Sequence, residues 1–257
     1  MRLQRNRELV YYRFPQIPDP PVVHGIFTRL GGASGPPWDS LNLGGTVGDD
    51  PKAVRENLER LLSAVGGTQS QLAQVKQVHS AEVVKVDRPM DDWDEADAMI
   101  TSSPGILLLM RFADCVPILY YDQDNRAVGI AHAGWQGTLK GIAKQVVLEM
   151  EHHFGTDPGN LFAGIGPSIG PDHYQVGSDV RQLAEEVFGD RAQEVLIENG
   201  DDVKLDLWRA NQINLEDVGV GKIDVSGICT GCHLDHWYSH RAEHGKTGRF
   251  AAVIGIS

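Results

Sequence analysis

The chain has 257 residues, 41% of them hydrophobic, enough to bury the core of one large domain or two modest ones. Its formal net charge of −12 excludes a general nucleic-acid binder, which needs a positive field to displace phosphate counterions. No run approaches the ~18 uninterrupted apolar residues of a membrane helix, the N-terminus lacks the apolar segment of a secretory signal, and three cysteines are an odd count for a disulfide framework, so a cytoplasmic protein without a membrane partner is expected.

Residues 1–24 read as an irregular N-terminal lead-in, with the proline-rich patch FPQIPDPPVV removing backbone donors. GGASGPPWDSLNLGGTVGDD follows, too long and glycine-rich for a plain connector, so a functional loop is expected there, with Asn42 as its substrate-side candidate. Val54, Leu58, Leu61 and Leu62 place one apolar face on a helix from about Pro51 to Val65. AEVVKVD (81–87) alternates like a strand, and ILLLMRF (106–112) reads as a strand buried on both faces. VPILYY and AVGIA flank the turn residues DQDN and predict a hairpin. Leu139, Ile142, Val146, Met150 and Phe154 then recur at helical spacing until Gly155. Further helices are predicted over Asp179–Phe188 and after Asp206, an N-cap, through Leu207, Ala210 and Leu215. FAAVIGIS closes the chain as a strand. With no repeat and no linker, the expectation is one domain over 1–257, of α/β (α+β) class with mixed β-sheets.

Cys115 and His132 stand in the two arms of the predicted hairpin. A loop centred between Gln123 and Asp124 pairs them directly, with Cβ atoms about 4.5–5.5 Å apart. His79, just before the strand at 81–87, can join them. Two imidazole nitrogens and one thiolate suit Zn²⁺, and three protein ligands leave a fourth position for water or substrate. Copper is the alternative metal. Asp114, next to Cys115, is a candidate to orient a histidine or relay a proton.

Other motifs weigh less. His240, Glu243 and His244 fit the inverted metalloprotease pattern H-x-x-E-H, but glycines follow at once where that chemistry needs a helix. Cys229, Cys232 and His233 fit C-x-x-C-H, a haem attachment pattern that belongs with export; turn cysteines are favoured, with a second metal site or redox pair as the alternative. GIGPSIG (164–170) lacks the Lys-Ser/Thr of a phosphate loop and reads as a wall of the pocket.

QVHSAEVV, ADAMIT, ADCVPILYYD, HAGWQGTLKGI, GIGPSIGPDHYQVG, ICTGC and YSHR…TGRFAA occur in the order of the laccase-domain family, also called multicopper polyphenol oxidoreductase, peptidoglycan editing factor and purine nucleoside phosphorylase. The chain resembles that family from about residue 25 to its end. The resemblance implies an αββα-type layered sandwich, a zinc site at His79, Cys115 and His132, and phosphorolysis of adenosine, inosine, guanosine and methylthioadenosine to free base and ribose 1-phosphate or its methylthio analogue. Adenosine deamination accompanies it, the reaction that most directly uses zinc to activate water. The implied partners are a purine nucleoside and phosphate, and a monomer is expected.

The family's usual pattern changes at Gln136 after Trp135, at Leu58 after Asn57, at Gln175 between Tyr174 and Val176, and at Ala242 after Arg241. Three of these changes remove a positive charge, which leaves phosphate binding at those positions open. Arg29 is the first candidate for phosphate, followed by Arg241, Lys246 and Arg249. Three other readings stand beside phosphorolysis. One is a cysteine hydrolase or amidase acting on a cell-wall precursor, with Cys115 as nucleophile and His132 as base. The others are a copper-dependent polyphenol oxidase and a metal-stabilised binding module.

Overall fold

A computed structural model describes residues 1–89, 94–200 and 202–257. The first half carries β1 (Arg2–Asn6), β2 (Leu9–Arg13), β3 (Val22–Phe27), β4 (Leu72–Ala73), β5 (Val83–Lys85), β6 (Ala98–Thr101) and β7 (Leu107–Phe112), with helix α1 (Pro51–Ala64) between β3 and β4. The hairpin β8 (Val116–Asp122) and β9 (Ala127–Ala133) leads into α2 (Trp135–Leu139) and α3 (Ile142–Phe154). Then come β10 (Phe162–Ile165), α4 (Ser178–Phe188), α5 (Ala192–Val195), β11 (Leu196–Asn199), β12 (Asp202–Leu205), α6 (Leu207–Glu216), β13 (Lys222–Val225) and β14 (Phe250–Ile256).

Two mixed six-stranded sheets result, in the orders β1-β2-β3-β14-β7-β4 and β13-β10-β8-β9-β6-β5. Side-chain alternation sorts their residues into layers. Leu108, Met110, Phe112, Ala252 and Ile254 of the first sheet meet Leu119, Tyr121, Val128 and Ile130 of the second. The opposite faces of the same strands, through Leu107, Leu109, Ala251 and Val253, pack on Leu61 and Leu62 of α1. Val116, Ile118, Tyr120 and Ala131 turn outward onto Val146 and Met150 of α3 and Ala184 of α4. Helix, sheet, sheet, helix is the resulting order, the expected αββα sandwich. It explains why β7 and β8 read as continuous apolar runs, since both of their faces are covered.

The termini of the helices follow the predicted signals. Asp206 caps α6 by accepting from the Arg209 N–H, and Gly155 ends α3 in the left-handed conformation. Three expectations are corrected. The lead-in is not irregular throughout: β1 and β2 pair as an antiparallel hairpin and extend the first sheet, and only residues 14–21 run without regular structure. The single helical pattern after Trp135 is two helices, separated at Gly141, whose φ of +79° interrupts the ladder. The strand at 81–87 shortens to Val83–Lys85.

Candidate active site

The β8–β9 hairpin has a register different from the predicted one. Pro117 pairs with His132 and Val116 with Ala133, so the turn is centred between Asp124 and Asn125. The Asp122 carboxylate accepts from the backbone N–H groups of both turn residues, and Arg126 takes a φ of +50°, which carries the turn one residue further along than DQDN suggested. Cys115 is therefore not opposite His132, but lies two residues before its partner. A two-residue displacement keeps side chains on the same face, and diagonal neighbours remain within reach.

Both side chains lie on the inter-sheet face at one end of the second sheet, where the loop carrying His79 reaches them. The Cys115 sulfur is 3.9 Å from His79 Nε2, and one ligand atom from each of His79, Cys115 and His132 lies within 4.8 Å of the others. Gly134 makes room for this. A Cβ at that position would meet the Cys115 sulfur at 2.9 Å and His79 Cδ2 at 2.9 Å.

Asp97, fully buried at the start of β6, holds two of the three residues. One carboxylate oxygen lies 2.8 Å from His132 Nδ1. The other accepts from the backbone N–H of Val78 at 3.1 Å and of Ser80 at 2.6 Å, and from the Ser80 hydroxyl at 2.9 Å. These bonds clamp the residues on either side of His79, whose φ of +60° is a conformation few non-glycine residues adopt. With Nδ1 engaged, Nε2 of His132 is the nitrogen left to bind. A histidine oriented by a carboxylate in this way is the usual support of a metal ligand.

The charges are coupled. Burial alone would raise the Cys115 thiol, but the His132 charge and hydrogen bonds from His132 and His79 outweigh it and bring the pKa down to about 6. Burial would lower His132, but the Cys115 thiolate and Asp97 outweigh it and raise the imidazole to about 9. Asp97 is held at about 2 against burial by the bonds from His132 and Ser80. The result is a thiolate beside an imidazolium, backed by a carboxylate.

A cavity of about 550 Å³ opens in front of these residues, with Arg111, Arg241 and Arg249 among its lining. Its size suits a small-molecule ligand. Arg111 is half-buried in β7, donating to Leu43 O and Gln74 Oε1. Burial lowers its pKa to about 10, so it stays charged at neutral pH. Arg241 lies over the Tyr174 ring at 5.1 Å, and Arg249 donates to the carbonyls of Thr247 and Gly248.

Other predicted residues go elsewhere. Arg29 is buried away from this cavity, with its guanidinium on Glu243, on backbone carbonyls and over the Tyr238 ring at 4.4 Å. Asn42 is buried in the glycine-rich loop, where it bonds Gly44, Asp49 and the Arg249 N–H; it shapes the wall from behind. Lys246 is exposed and outside the cavity lining. Asp114 borders the cavity, but it is not the partner of a histidine: it accepts from the Thr230 hydroxyl at 2.7 Å and from the Arg241 N–H at 2.6 Å. The histidine-orienting role belongs to Asp97. GIGPSIG is buried and does not line the cavity. Residues 240–245 form turns rather than a helix, and Glu243 points to Arg29, Ser239 N and Thr247, which removes the metalloprotease pattern.

Asp97 and Arg111 join the site without having been singled out from the sequence. Asp97 sits inside ADAMIT, an acid entering an apolar strand, and Arg111 is a cation inside one; a charge in a strand covered on both faces is the signal that marks them.

Residues 23–257 match the family described as multi-copper polyphenol oxidoreductase laccase. The chain belongs to this laccase family. It is 40% identical to a purine nucleoside phosphorylase of Deinococcus radiodurans, over 93% of this chain and 91% of that one. It is 36% identical to the purine nucleoside phosphorylase YfiH of Escherichia coli, over 94% and 97%. The crystal structure of YlmD from Geobacillus stearothermophilus superposes with a TM-score of 0.91 at 35% identity, covering 98% of this chain and 97% of that one. Family membership and the clustered His79, Cys115 and His132 support an enzyme with a metal-binding site. Among the described residues, no helix of this laccase-family chain is long and apolar enough to cross a membrane.

Proposed function

We propose that the chain is a purine nucleoside phosphorylase whose active site is the cavity before His79, Cys115 and His132. The observation that carries this reading is the pairing, in one cavity, of that cluster with Arg111, Arg241 and Arg249, in a protein of net charge −12. Relatives of similar length named for this activity support it.

Phosphorolysis places an anion on one face of the ribose while the purine leaves from the other, with positive charge developing at the anomeric carbon. The three guanidiniums form the positive wall that would hold phosphate, and the carbonyls of Leu43 for Arg111, Gln175 for Arg241, and Thr247 and Gly248 for Arg249 keep them in position before substrate arrives. Tyr174 and Trp135 supply flat apolar surface for a base. His79, Cys115 and His132 would hold Zn²⁺: two imidazoles and a thiolate match its preferences, the ligand atoms already lie within coordinating reach, and Asp97 fixes the tautomer of His132. Bound there, zinc would supply Lewis acidity at the cavity floor, the chemistry that an accompanying adenosine deaminase activity needs.

Inosine incubated with and without phosphate tests the reading. Phosphate-dependent release of hypoxanthine with equimolar ribose 1-phosphate is expected, and adenosine should also release ammonia. No turnover of any purine nucleoside by zinc-loaded protein would overturn it.

A second reading rests on one specific observation, the line Cys115, His132, Asp97 with its thiolate–imidazolium charge state. That line is the arrangement of a cysteine hydrolase or amidase, with Cys115 attacking a carbonyl of a cell-wall precursor and His132 returning the proton to the leaving amine. Here turnover survives chelation, and an acyl adduct on Cys115 is seen by mass spectrometry. Phosphorolysis of nucleosides requires neither result.

A further inference from the structure

A second cluster lies on the turns behind the cavity. His173 Nδ1 is 3.8 Å from the Cys229 sulfur, 3.6 Å from the Cys232 sulfur and 3.1 Å from Asp172 Oδ2, and Cys232 is 3.7 Å from that same oxygen. All four ligand atoms lie within 4.8 Å of one another. Tetrahedral zinc, with bonds of about 2.3 Å to sulfur and about 2.0–2.2 Å to nitrogen or oxygen, sets its ligands roughly 3.4–3.8 Å apart. Four of the six ligand pairs, at 3.1, 3.6, 3.7 and 3.8 Å, already stand close to those separations.

We propose that Asp172, His173, Cys229 and Cys232 bind a second, structural Zn²⁺ that staples the 170–173 turn to the 229–232 turn. Four protein ligands close the coordination sphere and leave no position for substrate, which distinguishes this site from the three-ligand one. Two sulfurs select a soft metal over magnesium or calcium. The chain prepares the site: the Gly170 N–H donates to the Cys229 sulfur at 3.2 Å, and Ser168 bonds the backbone on both sides of Cys229. Without metal, burial and then the Cys229 sulfur and the Asp172 carboxylate push the Cys232 thiol up to about 11, a crowding of like groups that a cation relieves.

The position gives the metal a task. Tyr174, next to His173, lines the cavity and carries Arg241 over its ring. Thr230, next to Cys229, bonds Asp114, which in turn holds the Arg241 N–H. A metal clamp at the two turns therefore fixes the wall on which Tyr174, Asp114 and Arg241 stand.

Elemental analysis of purified protein tests this separately from the proposed reaction. Wild type should carry about two zinc ions per chain, Cys115→Ala about one, and Cys115→Ala combined with Cys232→Ser and His173→Ala none. Circular dichroism checks that each variant is folded. In wild type, alkylation of Cys232 should be blocked until a chelator is added, with no reductant needed. A Cys115→Ala chain without zinc, or with zinc unaffected by the added substitutions, would overturn the proposal. So would a Cys232 freed for alkylation only by reductant, the mark of a disulfide to Cys229. Loss of turnover in Cys115→Ala has no bearing on these counts, so the two readings fail independently.

Discussion

The molecule gathers cysteine and histidine at two places and treats them differently. His79, Cys115 and His132 have a buried carboxylate behind them and a cavity in front. Exposed Asp172, His173 and Cys232 and buried Cys229 have no part in that cavity, and they supply four ligand atoms where the first cluster supplies three. The chemistry of the side chains is almost the same. What differs is the space left over: the first cluster opens on a cavity, and the second does not line it.

The severest way to break the comparison is Cys115→Ala. Turnover should fall by roughly 10³-fold or more, as for the loss of a residue that acts as part of a unit, while the second cluster is untouched; a steady-state assay checks this, and near-wild-type rates would remove Cys115 from the mechanism.

Alkylation in metal-free protein contrasts the two clusters directly. The Cys115 thiol is lowered to about 6 and Cys232 raised to about 11. A lowered pKa means the reactive thiolate appears as pH rises through about 6, so the Cys115 rate should climb between pH 5 and 7 and then level, whereas Cys232 should still be climbing at pH 9. At neutral pH the thiolate fractions differ about 10⁴-fold, and the weaker nucleophilicity of the lower-pKa thiolate cuts the expected rate difference to roughly 30–100-fold. Peptide mass spectrometry reads both sites at once, and equal rates would contradict the charge state assigned to the first cluster.

Asp97→Asn sharpens the comparison by removing the support that only the first cluster has. The amide cannot accept as strongly from both the His132 ring and the 78–80 backbone. Zinc affinity at the first site should drop about 10–100-fold with the second site unchanged, as measured by competition with a chromogenic chelator.

Gly134→Ala perturbs geometry without replacing a ligand. Its Cβ would press on Cys115 and His79 at once. A stability loss of about 1–3 kcal/mol is expected, read as a lower melting temperature in metal-free protein. The smallest effect belongs to Arg241→Ala. This exposed guanidinium should contribute about a 2–5-fold change in the KM for phosphate, whereas Arg29→Ala should lower stability and leave that KM alone.

Much of the fold was legible because each layer writes its own period into the chain. Leu107 to Phe112 is apolar at every position but Arg111 because both faces of β7 are covered, and the 3.6-residue spacing from Ile142 to Met150 marks the side of α3 that meets the second sheet. The β1–β2 hairpin was less legible. RLQRN and LVYYR are short, and the first, the edge strand, has only polar residues besides Leu3 and is largely exposed, so it resembles an irregular segment.

The site divides along the same line. Residue chemistry in the chain was enough to pick out His79, Cys115 and His132, because a thiol and imidazoles beside apolar strands want a partner. It could not supply the register of β8 on β9, which the Asp122 turn shifts, nor the choice between Asp97 and Asp114 as the partner of His132. It also placed Arg29 in the site when the fold spends that charge on Glu243. Local pattern determines which residues are buried and in what element; which buried groups meet depends on how strands distant in sequence pack, and that is settled only when both sheets close on one another.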